Sequence, residues 1–217
     1  MSNSSSVTPN SRMRPAVLAV SAVVAVIGIA VAAFLATRSS DTTTVSAGAA
    51  SIEMGTVRVE GAALAPMPDG DLPDPAIGTA APSVFGQGFD GSARQIEPGS
   101  GPTVVMFVAH WCPHCQREVP KIVEWSQDSA LAGVNLRAVS TGVVAERPNY
   151  PPSEWLAREK FTVPTLADDE ATTAANAYGL TSFPYFVALD AKGKVVKRAS
   201  GELSQAQFDE LATLARG

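Results

Sequence analysis

The run TVVMFVA, Thr103 to Ala109, feeds without a break into HWCPHC, His110 to Cys115. An unbroken apolar stretch rich in β-branched residues marks a strand covered on both faces, since a strand with one wet face would alternate. Just beyond, VPKIVEW places Val119, Ile122 and Val123 at helical spacing. A doubly covered strand that runs straight into a helix confines the chain to α/β architectures. The rest of the C-terminal half agrees. VNLRAVST (Val134 to Thr141) reads as a second strand, and PPSEWLAREKF and DDEATTAANAYG read as helices, the latter with acids in its first turn and Gly179 as its stop. YFVALD and KVVKRASG form a hairpin turned at AKGK. SQAQFDELATLAR is a final helix that opens on Ser204 and Gln207 in a capping-box arrangement.

The junction between strand and helix holds both cysteines of the chain, Cys112 and Cys115, and both histidines, His110 and His114. Pro113 suits the first helical turn, where its missing N–H has no partner to lose. Cys112 then stands at the helix N-terminus, where unpaired N–H groups and the helix dipole favour a thiolate, the nucleophile of disulfide exchange. Cys115, one turn along and facing inward, is placed to resolve a mixed disulfide. The spacing predicts an exposed attacking thiol and a buried resolving one. As a staple the pair is poor, because a loop this short barely constrains an unfolded chain. Zinc is the main rival, but it asks for four converging ligands, and two thiols and two imidazoles crowded between His110 and Cys115 are ill placed to converge. Attachment of a c-type haem needs a histidine directly after the second cysteine, where Gln116 stands. No metal or other cofactor is expected beyond a redox-active Cys112–Cys115 disulfide.

Four segments are expected along the chain. Residues 1–15 form a polar cytoplasmic tail, and 16–36 (AVLAVSAVVAVIGIAVAAFLA) carry no charge and match the length a helix needs to cross about 30 Å of hydrocarbon. A cleaved secretory signal is the competing reading, but its apolar core would be shorter and no good small-x-small site follows. Arg12 and Arg14 precede the span without an acid, so the N-terminus is expected in the cytoplasm and the remainder outside. Residues 37–76, Ser/Thr/Ala-rich and then broken by Pro and Gly, are expected as an extracytoplasmic linker, with a short strand inside GTVRVEG. Residues 77–217 form the folded domain. Net charge is −5, and taking away Arg12 and Arg14 with the anchor leaves −7, so a nucleic-acid partner has no electrostatic support.

VVMFVAHWCPHCQREVP resembles the active-site region of thioredoxin-fold oxidoreductases, in particular the membrane-anchored TlpA/ResA-like branch. Trp111 before the first cysteine and Pro120 within the helix match that pattern. AAPSVFGQGFDGSARQI resembles the N-terminal hairpin of that branch, and PPSEWLAREKFTVPTLAD its helical insertion. The resemblance implies a thioredoxin-like α/β fold, a central mixed sheet flanked by helices with an N-terminal hairpin extension, beside the single transmembrane helix. AYGLTSFPYFVALDAKGKVV resembles the second landmark of the family and makes Pro184 the candidate cis-proline, ahead of Pro164 in FTVPTL. In the family the backbone beside this proline pairs with an extended substrate segment. Phe183 is bulkier than the residue usual there, and with Trp111 and Pro113 it would border the substrate. Met106 replaces the buried acid of thioredoxins. Glu118, three residues past Cys115, stands where ResA-like proteins carry an active-site glutamate; a proton acceptor and an ordinary solvated helix residue are both open readings. The resemblance gives His110 no role, and Trp125 and Trp155 read as packing residues.

The Pro-His pair between the cysteines is that of DsbA-type oxidases. An imidazole at His114 that favours the Cys112 thiolate stabilises the reduced enzyme and makes its disulfide the stronger oxidant. The chain is therefore expected to oxidise exported protein thiols and to draw on a membrane partner, either a quinone-coupled oxidant or a transmembrane electron carrier. The alternatives are a reductase for exported cysteines, including those of cytochrome c maturation, and a non-enzymatic copper or zinc carrier. A thiol peroxidase ranks last, since Ala109 stands where its threonine belongs.

Overall fold

Strand β4 (Thr103–Val108) is buried along its whole length and lies in the middle of the sheet. The computed structural model describes residues 51–70, 72–127 and 131–217. Ahead of β4 come β1 (Arg58–Glu60), β2 (Ser83–Gln87) and β3 (Ala93–Ile96). After it follow α1 (Pro113–Trp125), β5 (Asn135–Ser140), α2 (Pro152–Arg158), β6 (Thr165–Ala167), α3 (Thr173–Ala177), β7 (Tyr185–Leu189), β8 (Val195–Ser200) and α4 (Gln205–Arg216). The sheet order is β1-β2-β6-β5-β4-β7-β8, with β3 hydrogen-bonded to β2. β4 runs parallel to β5 and antiparallel to β7. The mixed sheet with flanking helices and an N-terminal β2–β3 hairpin is the architecture the resemblance implies.

Alternation along β4 sorts its side chains to two cores. Val104, Met106 and Val108 point to the side built from α1, α2 and α4, where they meet Cys115, Ile122, Trp155 and Phe208. Val105 and Phe107 point to the other side, with Val139, Tyr178, Tyr185 and the alanines of α3. Each such fully buried side chain contributes about 1.5–3 kcal/mol. The final helix keeps its capping box: Ser204 Oγ accepts the Gln207 N–H while the Gln207 side chain accepts the Ser204 N–H.

Residues 51–76 differ from the expected linker. β1 pairs antiparallel with β2, and Leu64 and Ala76 are buried in the second core. The Leu64 and Met67 amides donate to the carbonyls of Ala177 and Gly179. Gly179 adopts φ +68°, and a Cβ there would lie 2.3 Å from the Ala65 carbonyl oxygen, so only glycine admits the segment. Arg198, its side chain fully buried, donates through Nε to Asp74 Oδ2 at 2.7 Å and through Nη2 to Asp74 Oδ1, and also bonds the Ala65 carbonyl and the Tyr185 hydroxyl. Backbone hydrogen bonds and one buried ion pair thus hold a Pro/Gly-rich sequence that hydrophobic periodicity cannot flag. The described part of the compact unit therefore begins at residue 51 and not at 77. The predicted span 16–36 lies outside the described residues; among those described, no helix is long and apolar enough to cross a membrane.

Candidate active site

Helix α1 buries Cys115, Glu118, Val119, Ile122 and Trp125, a single stripe at helical spacing. Its N-cap is Cys112, extended at φ −76° and ψ 119°, with Pro113 at the first helical position. Pro120 inside the helix has no N–H to give the Gln116 carbonyl. The Cys112 amide donates to Ala109 O and the Gln116 amide to Cys112 O, both at 3.0 Å, which folds the strand end tightly into the first turn. Both cysteines are free thiols.

Their settings differ, though less than an exposed attacker and a buried resolver would. Cys112 is 6% exposed and Cys115 fully buried. Cys112 belongs to the same core cluster as Met106 and Cys115, with Trp111 and Phe183 packed against it, so only a sliver of its surface reaches solvent. Burial pushes the Cys115 thiol far above the ordinary thiol range; a backbone hydrogen bond from Ala109 opposes this, and the adjoining Cys112 sulfur and the Glu118 carboxylate add to it. With Met106 beneath the site, no acid stands at the thioredoxin position.

Glu118 is fully buried, which excludes the solvated reading. Its Oε1 accepts the Leu203 amide at 3.0 Å and its Oε2 accepts Lys121 Nζ at 3.3 Å. Desolvation raises its carboxyl pKa, and the hydrogen bonds from Leu203 and Lys121 hold it back. It lies on the Cys115 face one turn on, where i and i+3 residues are neighbours.

His114, Arg117 and Lys121 follow one another along the exposed flank of α1, and all three reach Glu202 in the loop between β8 and α4. Glu202 Oε1 lies 2.9 Å from His114 Nδ1 and accepts Arg117 Nη2 at 2.6 Å; Oε2 accepts Lys121 Nζ at 3.2 Å. These bonds hold the Glu202 carboxyl down at about 2, with Arg117 the largest cause and His114 and Lys121 next. Arg117 Nη2 also lies 2.9 Å from His114 Nδ1. Carboxylate and guanidinium thus compete for that nitrogen, one asking for its proton and the other for its lone pair.

On the other side of the motif, His110 is fully buried. Its Nδ1 lies 2.7 Å from Pro148 O, which can only accept, and its Nε2 accepts the Val144 amide at 3.2 Å, so the ring is the neutral Nδ1–H tautomer. Burial lowers its pKa, against the Pro148 hydrogen bond. Trp111 Nε1 donates to Gly142 O at 2.7 Å, and Arg147 lies over the Trp111 ring. His110 and Trp111 together fasten the 142–148 loop beside the cysteines. With both His110 nitrogens taken by backbone groups, the thiols and imidazoles do not converge. Among the described residues no group of three or more His, Cys, Asp or Glu is placed to hold a metal ion.

The Phe183–Pro184 peptide is cis, as is Tyr150–Pro151, and Pro184 is buried. Phe183 meets Trp111 edge to face, ring centroids 5.9 Å apart, and Pro184 O accepts the Gly201 amide. The structure therefore gathers Trp111, Cys112, Cys115 and Phe183 on one core, with cis Pro184 buried next to Phe183 in the chain and Pro113 and His114 exposed at the rim. Trp125 and Trp155 are packing residues. Sequence reasoning missed Glu202 and the latch formed by His110. The one signal for Glu202 was the basic row at 114, 117 and 121, which asks for an acid from another element.

Residues 78–214 match the Redoxin family model. The chain is 28% identical over 131 residues to the thiol-disulfide oxidoreductase ResA of Geobacillus thermodenitrificans, covering 60% of this chain and 72% of that one. It is 27% identical over 140 residues to the thiol:disulfide interchange protein DsbE homologue of Paracoccus denitrificans, covering 63% and 73%. Among solved structures, a thioredoxin-family thiol:disulfide interchange protein from Chlorobium tepidum superposes with a TM-score of 0.53 at 27% identity, over 63% of this chain and 95% of that one. With a match that spans more than half the chain, and a C-x-x-C helix start set in a mixed sheet, this protein belongs to the Redoxin family and is a thioredoxin-fold homologue of thiol-disulfide oxidoreductases of the ResA and DsbE type.

Proposed function

We propose that this protein exchanges disulfides with exported proteins through Cys112 and Cys115, outside the cytoplasm, tethered by a membrane helix over 16–36. The observation that carries the reading is the unequal setting of the two sulfurs. Cys112 stands at the helix N-terminus with the only solvent-facing surface of the pair, and Cys115 is sealed beneath it. In the oxidising direction a substrate thiolate attacks the Cys112 sulfur. The Cys112–Cys115 bond breaks, and its electron pair stays on Cys115, which takes up a proton. A second substrate thiolate then attacks the substrate sulfur of the mixed disulfide, releasing Cys112 as thiolate and leaving the substrate oxidised. Burial makes Cys115 hold its proton firmly, so the reverse direction needs a base. Glu118, with its raised pKa, is the group on that face of α1 to receive the proton.

Pro113 and His114 favour oxidation as the physiological direction. The second reading, reduction of exported disulfides, is favoured by one observation: His114 faces Glu202 and Arg117. The reduction potential of the protein separates the two. A value near that of DsbA, about −120 mV, supports oxidation; one near thioredoxin, about −270 mV, supports the reductase.

A further inference from the structure

The loop from Gly201 to Leu203 touches three parts of the site at once. The Gly201 amide donates to Pro184 O, the Leu203 amide donates to buried Glu118, and between them Glu202 takes His114, Arg117 and Lys121. The flanking backbone bonds hold the loop whether or not residue 202 is charged. Of the two redox forms, only the reduced one has a thiol at Cys112 that can ionise; the disulfide is neutral there. A cation facing Cys112 therefore stabilises the reduced form alone. Arg117 is within Coulombic reach of Cys112, and its guanidinium is held in its charged form chiefly by Glu202 and in smaller part by Cys112. Glu202 and the Cys112 thiolate thus draw on the same cation.

We propose that Glu202 is a positioning residue that diverts Arg117 from Cys112 and so holds the redox couple of the site toward the reducing end. The role rests on the exchange reading and adds to it a residue outside the C-P-H-C motif that tunes direction. It makes this motif a weaker oxidant than the same dipeptide without such a carboxylate. Arg117 is about half exposed, so solvent screens the effect to a modest size.

The test is redox equilibration of the protein against glutathione buffers, read by mass after alkylation, for wild type, Glu202→Gln and Arg117→Gln. Glu202→Gln is expected to shift the equilibrium about fivefold toward the dithiol, ~20 mV more positive at 29.6 mV per decade. Arg117→Gln is expected to shift it the opposite way, and added salt of ~0.5 M shrinks both shifts. Loss of packing alone would give neither the opposed signs nor the salt response. An unchanged equilibrium in Glu202→Gln, or a shift toward the disulfide, overturns the proposal. Should that variant fail to fold, a shift of Arg117→Gln toward the dithiol overturns it as well. A wild type that forms no reversible disulfide at all overturns the exchange reading itself, a result distinct from either.

Discussion

The Leu203 amide donates to Glu118 Oε1 at 3.0 Å, an interaction that spans 85 residues of sequence and keeps a carboxylate buried on the Cys115 face of α1. If Glu118 accepts the Cys115 proton, Glu118→Gln slows exchange near neutral pH by roughly tenfold or more, with little change in reduction potential. Stopped-flow tryptophan fluorescence during reduction and reoxidation checks this, and an unchanged rate removes the role.

The same residue makes a prediction for stability. A carboxyl whose folded pKa is raised binds its proton more tightly in the folded state, so its contribution to stability is full below the unfolded value, 4.5, and is lost as pH rises toward the folded value. Glutamine does not titrate. Urea denaturation of Glu118→Gln is therefore expected to gain on wild type as pH climbs from about 4 to 7.

His110 has the opposite sign. Its folded pKa is depressed, so the unfolded chain takes up a proton below 6.5 that the folded chain refuses. Wild type should lose stability as pH falls through 6.5, and His110→Gln should lack that slope. At pH 7.5 the variant is expected to be about 1–3 kcal/mol less stable, since Pro148 O and the Val144 amide lose their partner. Thermal melts at the two pH values measure both effects.

Arg198 and Asp74 give the clearest test of where the folded unit begins. Asp74→Ala leaves a buried guanidinium without its carboxylate and is expected to cost about 3–5 kcal/mol. Deleting residues 51–76 should cost at least as much, because Leu64, Ala76 and β1 go with the ion pair. Equal melting temperatures for the full chain and the truncated one would place the boundary at 77 after all.

Features written in local pattern were legible in the sequence. The apolar run of β4, the helical stripe of α1, the capping box of α4 and the AKGK hairpin each declare themselves within a few residues. β6 was not legible, because TLA is three residues long and shows no period; it was absorbed into the helical insertion. The packing of 51–76 was hidden because Pro/Gly composition reads as linker, while its anchors lie on β8 and around α3 more than 100 residues away. Glu202 and the latch of His110 were hidden for the same reason: each acts through contacts 34 or more residues distant. Glu118 could be placed by resemblance, but only its buried contact with Leu203 shows that it is not a solvated residue.

Exchange through this site depends on which sulfur meets the substrate. With Cys115→Ser, a peptide disulfide should stall as a mixed disulfide, and peptide mapping by mass spectrometry should place the adduct on Cys112; the Cys112→Ser protein, with its sole thiol buried, should trap none. An adduct formed on Cys115 of the Cys112→Ser protein at a comparable rate would contradict the division of labour between the two cysteines.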